Sequence, residues 1–370
     1  MHMSELEYDL PPELIAATPV EPRDQSRLMV VDRTTGEIQH RHFTDIAEFL
    51  RPHDLLVVNN TRVLPAKLSL KRKSGGLITG LFVAQRGPGM WDVLLRTRGK
   101  VREGEELIGA PYSFLLERRQ GEGLWRVRVT PGDDAPTALA QIGHVPLPPY
   151  IEKQRRLAGA AAAQGDQQAD ASAADRRWYQ TVYAQGIGRS VAAPTAGLHF
   201  TPELLTRLEA AGVRRAAVAL DVGLGTFLPV ETETLDAHPM HTERYHVPAE
   251  TIAAIHETRA MKSDGRKIVV VGTTAVRTLE TAAPTILESP AAVHAPTGIS
   301  GDTNLKIAPG FPFRLTDSLI TNFHLPRSTL MALVGAFLGN DGVDRLKTVY
   351  ALAVREKYRF YSYGDAMLIR

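Results

Sequence analysis

Residues 193–202, Ala-Pro-Thr-Ala-Gly-Leu-His-Phe-Thr-Pro, gather a hydroxyl (Thr195), a glycine (Gly197) and an imidazole (His199) just ahead of a helix start. Thr201 suits the N-cap, Pro202 the first helical position, and Glu203 complements the dipole. Leu204, Leu205 and Leu208 repeat on one face, and Gly212 ends the helix. Glycine lets backbone approach a ligand closely, and a helix start offers N–H donors. A tight turn around a hydrogen-bonded histidine is the plainer alternative.

Other apolar runs end in the same kind of residue. Leu55–Val58 stops at Asn59-Asn60-Thr61-Arg62, and Ala216–Val222 stops at Gly223-Leu224-Gly225-Thr226. Lys267–Val271 stops at Gly272-Thr273-Thr274, and Asp317–Asn322 leads into Phe323-His324-Leu325-Pro326-Arg327. Such loops hold ribose hydroxyls, carboxylates or phosphates, and in α/β sheets ligands bind at the carboxyl ends of strands. Neither Gly-rich segment has the spacing of a dinucleotide fingerprint, and no lysine-bearing phosphate loop is present. Arg23, Asp24, Arg27 and Arg62 are candidates for phosphate binding or internal salt bridges.

Some chemistries are disfavoured. His238, His241 and His246 do not have helical zinc spacing, and Pro239 breaks a helix there, so no metal site is expected. His241 and Glu243 suit hydrogen bonding or acid–base work better. No nucleophile elbow supports a serine hydrolase. The chain has no cysteine, which excludes disulfides and thiolate chemistry and fits a reducing cytoplasm. The acidic N-terminus does not read as a signal peptide, and no apolar run is long enough to span a bilayer.

The elements that must position these residues fall into two patterns. Residues 1–65 and 148–370 alternate apolar strands, polar loops and helices, which predicts a main α/β/α layered domain with a mostly parallel sheet. Residues 66–147 show short alternating runs between glycine turns, which predicts an inserted antiparallel sheet or small barrel. Residues 67–130 carry thirteen Lys/Arg against six Asp/Glu, although the whole chain has a net charge of only +2. This basic module on a mildly acidic body predicts a polyanion partner, nucleic acid first, unless it is only a solvated surface. The Ala-, Gln- and Asp-rich residues 155–175 read as a flexible insertion.

Taken in order, the motifs resemble the S-adenosylmethionine:tRNA ribosyltransferase-isomerase family of the queuosine pathway. The resemblance rests on Arg-Asp-Gln-Ser-Arg-Leu (23–28), Asn-Asn-Thr-Arg-Val (59–63), Pro-Leu-Pro-Pro-Tyr-Ile (146–151) and Tyr-Gln-Thr-Val-Tyr-Ala (179–184). It continues through Ala-Ala-Pro-Thr-Ala-Gly-Leu-His-Phe (192–200), Val-Gly-Thr-Thr (271–274), Thr-Asn-Phe-His-Leu-Pro (321–326) and Tyr-Arg-Phe-Tyr-Ser-Tyr-Gly-Asp (358–365). Asn60, Asp221 and Arg244 depart from the family pattern, which usually has Asp, His and Trp at those places.

The resemblance implies an α/β body interrupted by a six-stranded antiparallel β-barrel. It implies transfer and isomerisation of the ribosyl group of S-adenosylmethionine, as cosubstrate, onto 7-aminomethyl-7-deazaguanine at the tRNA wobble position. Epoxyqueuosine, adenine and methionine would be formed, with no metal or redox cofactor. A base is needed to deprotonate C5′ beside the sulfonium, and an acid or hydrogen bond to release adenine.

On this reading His199, His241, Glu243 and Asp221 are the acid–base candidates. Thr195, Gly197, Gly223, Gly225, Thr226, Thr273 and Thr274 are expected to line the cosubstrate pocket. Asn59, Thr61, Arg62, His324 and Arg327 are expected to face the tRNA or its deazaguanine. Lys71, Arg72, Lys73, Arg96, Arg98 and Arg102 are expected to hold tRNA backbone. The expected state is a cytoplasmic monomer or weak homo-oligomer. A different S-adenosylmethionine-dependent RNA-modifying enzyme and a noncatalytic tRNA-binding paralogue are the other open readings.

Overall fold

The structure, a computed structural model, describes the chain except residues 98, 122, 158, 160–172, 187–189, 224–231 and 290–295. Arg98, Gly225, Thr226 and most of the 155–175 insertion therefore lie outside the described residues.

The chain opens with β1 (Arg27–Val31), β2 (Ile38–His42) and β3 (Leu55–Asn59). Every residue of β3 is buried, as its unbroken apolar run requires of a strand covered on both faces. The chain then leaves the sheet for β4 (Lys67–Arg72), β5 (Leu77–Gly87), β6 (Met90–Arg96), β7 (Glu106–Gly109), β8 (Tyr112–Arg119) and β9 (Leu124–Thr130). These six pair antiparallel in the order β4-β5-β6-β9-β8-β7, and β7 pairs back onto β4, so the sheet closes into a barrel. Alternation sends Leu68, Leu70, Ile78, Val93, Leu107, Phe114, Leu116 and Val127 inward. Trp91 fills the centre, edge-on to Phe82 and Phe114.

Helix α1 (Ala135–Ile142) and the short β10 (Gly143–His144) lead out of the barrel, and β10 pairs with β4. After α2 (Pro149–Leu157) and α3 (Pro202–Ala210), the chain returns to the large sheet with β11 (Arg214–Asp221) and β12 (Glu243–Val247). Then come α4 (Ala249–Ala260), β13 (Ile268–Val271), α5 (Thr273–Glu288), β14 (Ile299–Thr303), β15 (Ser318–Asn322), α6 (Thr329–Leu338), α7 (Gly342–Arg355) and β16 (Ala366–Ile369).

The large sheet has nine strands in the order β14-β12-β11-β3-β13-β15-β16-β1-β2. Its centre, β11-β3-β13-β15, is parallel throughout, and β16 also runs parallel to β1. The pairs β14–β12, β12–β11, β15–β16 and β1–β2 are antiparallel. The expected mostly parallel sheet is thus parallel in its core and mixed as a whole. Parallel strands need crossover connections, whereas the antiparallel pair β1–β2 is joined by a short turn.

Helices cover both faces. On one, Ala275, Val276, Leu279, Ala282, Ala283 and Ile286 of α5 pack with Val57, Val218, Leu220 and Val270. On the other, Leu204, Leu205 and Leu208 of α3 pack with Leu56, Val58 and Val269. Burying each of the Val, Leu and Ile side chains among them is worth about 1.5–3 kcal/mol.

Candidate active site

The four central parallel strands end side by side. Asp221, Asn59, Val271 and Asn322 close β11, β3, β13 and β15, which are consecutive neighbours. At the usual strand spacing these tips span about 15 Å. The polar ends anticipated from sequence therefore share one rim.

Asn59 is fully buried and works as a clamp. Its Oδ1 accepts the N–H groups of Thr61 (3.0 Å) and Leu220 (3.3 Å), and its Nδ2 donates to Thr274 Oγ1 (3.2 Å). Thr61, itself buried, donates from its hydroxyl to Asp221 Oδ1 at 3.3 Å. Both were expected to face the tRNA or its deazaguanine; both side chains bond within the fold, because a strand end buried on both faces must satisfy its polar groups internally. Arg62 is exposed, and its guanidinium donates to the Ala184 carbonyl at 2.9 Å.

Helix α5 starts directly on β13. Gly272 takes φ +86° at the N-cap, a conformation that favours glycine, and no side chain caps the helix. The first-turn N–H groups of α5 thus sit at the rim with Thr273 and Thr274.

His199 lies on a short 3-10 turn, Thr195–His199, and is 4% exposed. Its Nδ1 is 2.8 Å from Ser26 Oγ, and its Nε2 is 3.0 Å from Asn322 Nδ2. Asn322 Oδ1 in turn accepts the Thr195 hydroxyl at 2.9 Å. The ring stacks on Phe43, with centroids 5.0 Å apart. Burial, with the nearby charges of Arg359 and Arg23, pushes its pKa down to about 3. His199 is a neutral, fully bonded link in a network whose outermost member is Thr195. The sequence offered it as an acid–base group and passed over Ser26 and Asn322. Asn322 carries the same signal as Asn59: an amide at the end of an apolar strand.

Thr201 caps α3 as expected, accepting the Leu204 N–H at 3.1 Å, and its hydroxyl donates to Asp24. Gly197 serves a different purpose from the one expected. A Cβ there would lie 1.9 Å from the Tyr183 hydroxyl, so its missing side chain makes room for Tyr183 and not for a ligand. Gly223 is the opposite case: none of the described residues lies within 4 Å of where its Cβ would be.

Glu243, at the start of β12, is buried. Its Oε1 accepts the Gly223 N–H at 3.2 Å, and its Oε2 is ion-paired with Arg277 Nη1. Arg277 was missed from sequence. Its spacing, three and four residues after Thr274 and Thr273, places it on their helix face, which is the signal that would have found it. His241, expected to act with Glu243, is exposed two residues before β12. The rim does not contain it. Asp221 stands opposite Arg244 in the β11–β12 register, and Arg244 opposite Asp302 in β12–β14.

His324 is half-buried, with Nε2 2.8 Å from Thr321 Oγ1, and burial lowers its pKa to about 4. It was expected to face the tRNA or its deazaguanine, and its ring is hydrogen-bonded within the fold. Arg327 is exposed, at φ +52°, 3.6 Å from Glu7. On the barrel, Arg72 and Lys73 are paired with Glu105 and Glu106, both at 2.7 Å. Lys71, Arg96 and Arg102 have no carboxylate partner among the described residues. No cluster of three metal-ligating side chains occurs among the described residues, and no described helix is long and apolar enough to cross a membrane.

The family model described as queuosine biosynthesis protein matches residues 3–369. The chain belongs to the queuosine biosynthesis protein family. Its similarity to named relatives runs along the whole length. It is 47% identical over 370 residues to the S-adenosylmethionine:tRNA ribosyltransferase-isomerase of Thermotoga maritima, covering all of both chains. It is 46% identical to that of Rubrobacter xylanophilus, covering all of this chain and 98% of the other. The crystal structure of the S-adenosylmethionine tRNA ribosyltransferase from Thermotoga maritima superposes with a TM-score of 0.53 at 38% identity, covering 99% of this chain and 100% of that one.

Proposed function

We propose that this family member transfers and isomerises the ribosyl group of S-adenosylmethionine onto 7-aminomethyl-7-deazaguanine in tRNA, giving epoxyqueuosine, adenine and methionine. The observation that carries the reading is the continuous rim. Asp221, Thr61, Asn59 and Thr274 are bonded in sequence, and Thr195, Asn322 and His199 close its other side. Polar groups fixed in this way are suited to holding a nucleoside without reorganising during reaction.

The residues present fit a sulfonium nucleoside. Asp221 supplies a carboxylate beside which a cation is stabilised. Gly223 leaves open space at a strand tip, and α5 offers unpaired N–H donors. Asp221, half-buried at the rim where it accepts the Thr61 hydroxyl, is the reading's acid–base group, and His199 and Glu243 are buried and bonded within the fold. His199 and Glu243 are positioning residues.

The barrel is proposed as a separate tRNA-gripping unit, with Lys71, Arg96 and Arg102 as the cations free to meet phosphate. Its own closed core, distinct from those of the α/β body, supports that division. Incubating the protein with S-adenosylmethionine and tRNA bearing the aminomethyl-deazaguanine tests the reaction. Equal amounts of adenine and methionine are expected. S-adenosylhomocysteine would mean methyl transfer, and no small product would mean a noncatalytic protein.

A further inference from the structure

We infer that Arg277 receives the carboxylate of the cosubstrate's methionine moiety. This rests on the reading of the rim as an S-adenosylmethionine site.

Arg277 has five N–H bonds to satisfy. Its Nε donates to the Leu305 carbonyl at 3.1 Å, and its Nη1 is paired with Glu243. Its Nη2 is buried and has no hydrogen-bond acceptor among the described residues. A buried charged donor left unpaired is costly, so such a group calls for a partner that arrives from outside the chain. The side chain is 11% exposed and Glu243 6%, so water satisfies little of the pair.

The geometry also accounts for why the donor is left over. A carboxylate normally takes both prongs of a guanidinium. Glu243 gives only Oε2 to Arg277, because the Gly223 amide holds its Oε1. The second prong is thereby kept for another acceptor. Gly223, whose Cβ would meet none of the described residues within 4 Å, is bonded to this pair through Glu243.

Charge selects the acceptor. The sulfonium and the α-ammonium of the cosubstrate are cations and are repelled. Adenine and ribose are neutral. The α-carboxylate is its one anion, and a guanidinium–carboxylate contact is the strongest hydrogen bond that prong can make. Glu243 then orients Arg277 and does not act as a base.

The test is calorimetric binding to the full chain, with saturating tRNA that has ordinary guanine at the wobble position, so that no turnover occurs. The probes are S-adenosylmethionine and its decarboxylated form. Wild type is expected to prefer the carboxylated probe by about thirtyfold, the weight of a charged hydrogen bond. Arg277→Lys keeps the charge and the Glu243 pair but lacks the second prong, and is expected to lose most of that preference. The paired variant Arg277→Gln with Glu243→Gln, which leaves no buried charge alone, is expected to bind both probes equally. Equal binding by wild type, or an undiminished preference in either variant, overturns the inference: Nη2 would then only hold a water. Failure of wild type to bind either probe would instead remove the cosubstrate reading beneath it.

Discussion

Asn322 Nδ2 lies 3.0 Å from His199 Nε2, and since an amide nitrogen only donates, the imidazole keeps its proton on Nδ1, facing Ser26 Oγ at 2.8 Å. A histidine held this way has no lone pair or proton left for a substrate. His199 therefore sets the Asn322 amide, and Asn322 sets the Thr195 hydroxyl.

The first prediction concerns acid stability. His199 has a folded pKa of about 3 against 6.5 unfolded, so between those values the unfolded chain binds the extra proton. Stability is complete above pH 6.5 and falls by up to one proton's worth per pH unit as pH drops toward 3. His324, lowered to about 4, adds to the same trend. Denaturant unfolding at stepped pH should show a shallower acid dependence for His199→Gln than for wild type. Identical slopes would show that the buried, neutral imidazole is misassigned.

The second concerns Asp221 and Arg244, which are register partners and stand where the sequence resemblance implies His and Trp. Cross-strand opposite charges contribute about 0.2–1 kcal/mol. Replacing both with the family's residues, Asp221→His with Arg244→Trp, should cost less stability than the two single changes added together. Strict additivity in a double-mutant cycle would mean that the two positions changed independently.

A third prediction separates the barrel cations. Charge reversal of Lys71, Arg96 and Arg102 should weaken tRNA binding and reduce the log Kd–log salt slope by about two to three units, near one for each phosphate no longer neutralised. Reversal of Lys73, already paired with Glu106, should change the slope less. Filter binding over a salt series measures both, and an unchanged slope for the triple variant would place the tRNA elsewhere.

The fourth tests the glycine of the His199 turn. Gly197→Ala drives a methyl into the Tyr183 hydroxyl and should cost about 1–3 kcal/mol in chemical denaturation. The Tyr183 hydroxyl has no hydrogen-bond partner among the described residues, so Tyr183→Phe alone should be nearly neutral, and adding it to Gly197→Ala should recover part of the loss. No recovery would mean that the hydroxyl is not the atom that matters and that the clash is with the Thr181 methyl or the ring Cζ of residue 183, both 2.9 Å from the same point.

Much of the fold was legible because local chemistry writes it. Thr201 and Pro202 start α3, Ser328 caps α6, and buried runs such as Leu55–Val58 lie in the sheet where their patterns put them. Strand direction was less legible: nothing local to β12, β14 or β16 says that each pairs antiparallel to a neighbour. Helix α1 was missed inside a stretch read as all β, although Asp134 accepts the Thr137 N–H as a cap and Pro136 sits in the first turn.

The site was legible as a set of strand ends and not as a set of roles. Residue type marked His199, Glu243 and Asn59 as reactive or ligand-facing, yet burial made them clamps. Their partners are far away in sequence: His199 meets Ser26 and Asn322, and Glu243 meets Arg277. Pairings over 34 to 173 residues leave no periodic trace in the chain. The barrel's basic surplus was visible in composition, but the neutralising partners Glu105 and Glu106 of Arg72 and Lys73 emerged only from the β4–β7 closure.

The central claim is that the rim of β11, β3, β13 and β15 holds the cosubstrate. A crystal structure of the chain with S-adenosylmethionine tests it most directly. The account predicts ligand density beside Gly223, with Asp221, Thr195 and the start of α5 within contact. Density in the cavity of about 380 Å³ between α3 and β11, lined by Asn60, Tyr183, Gln185 and Thr206, would contradict it.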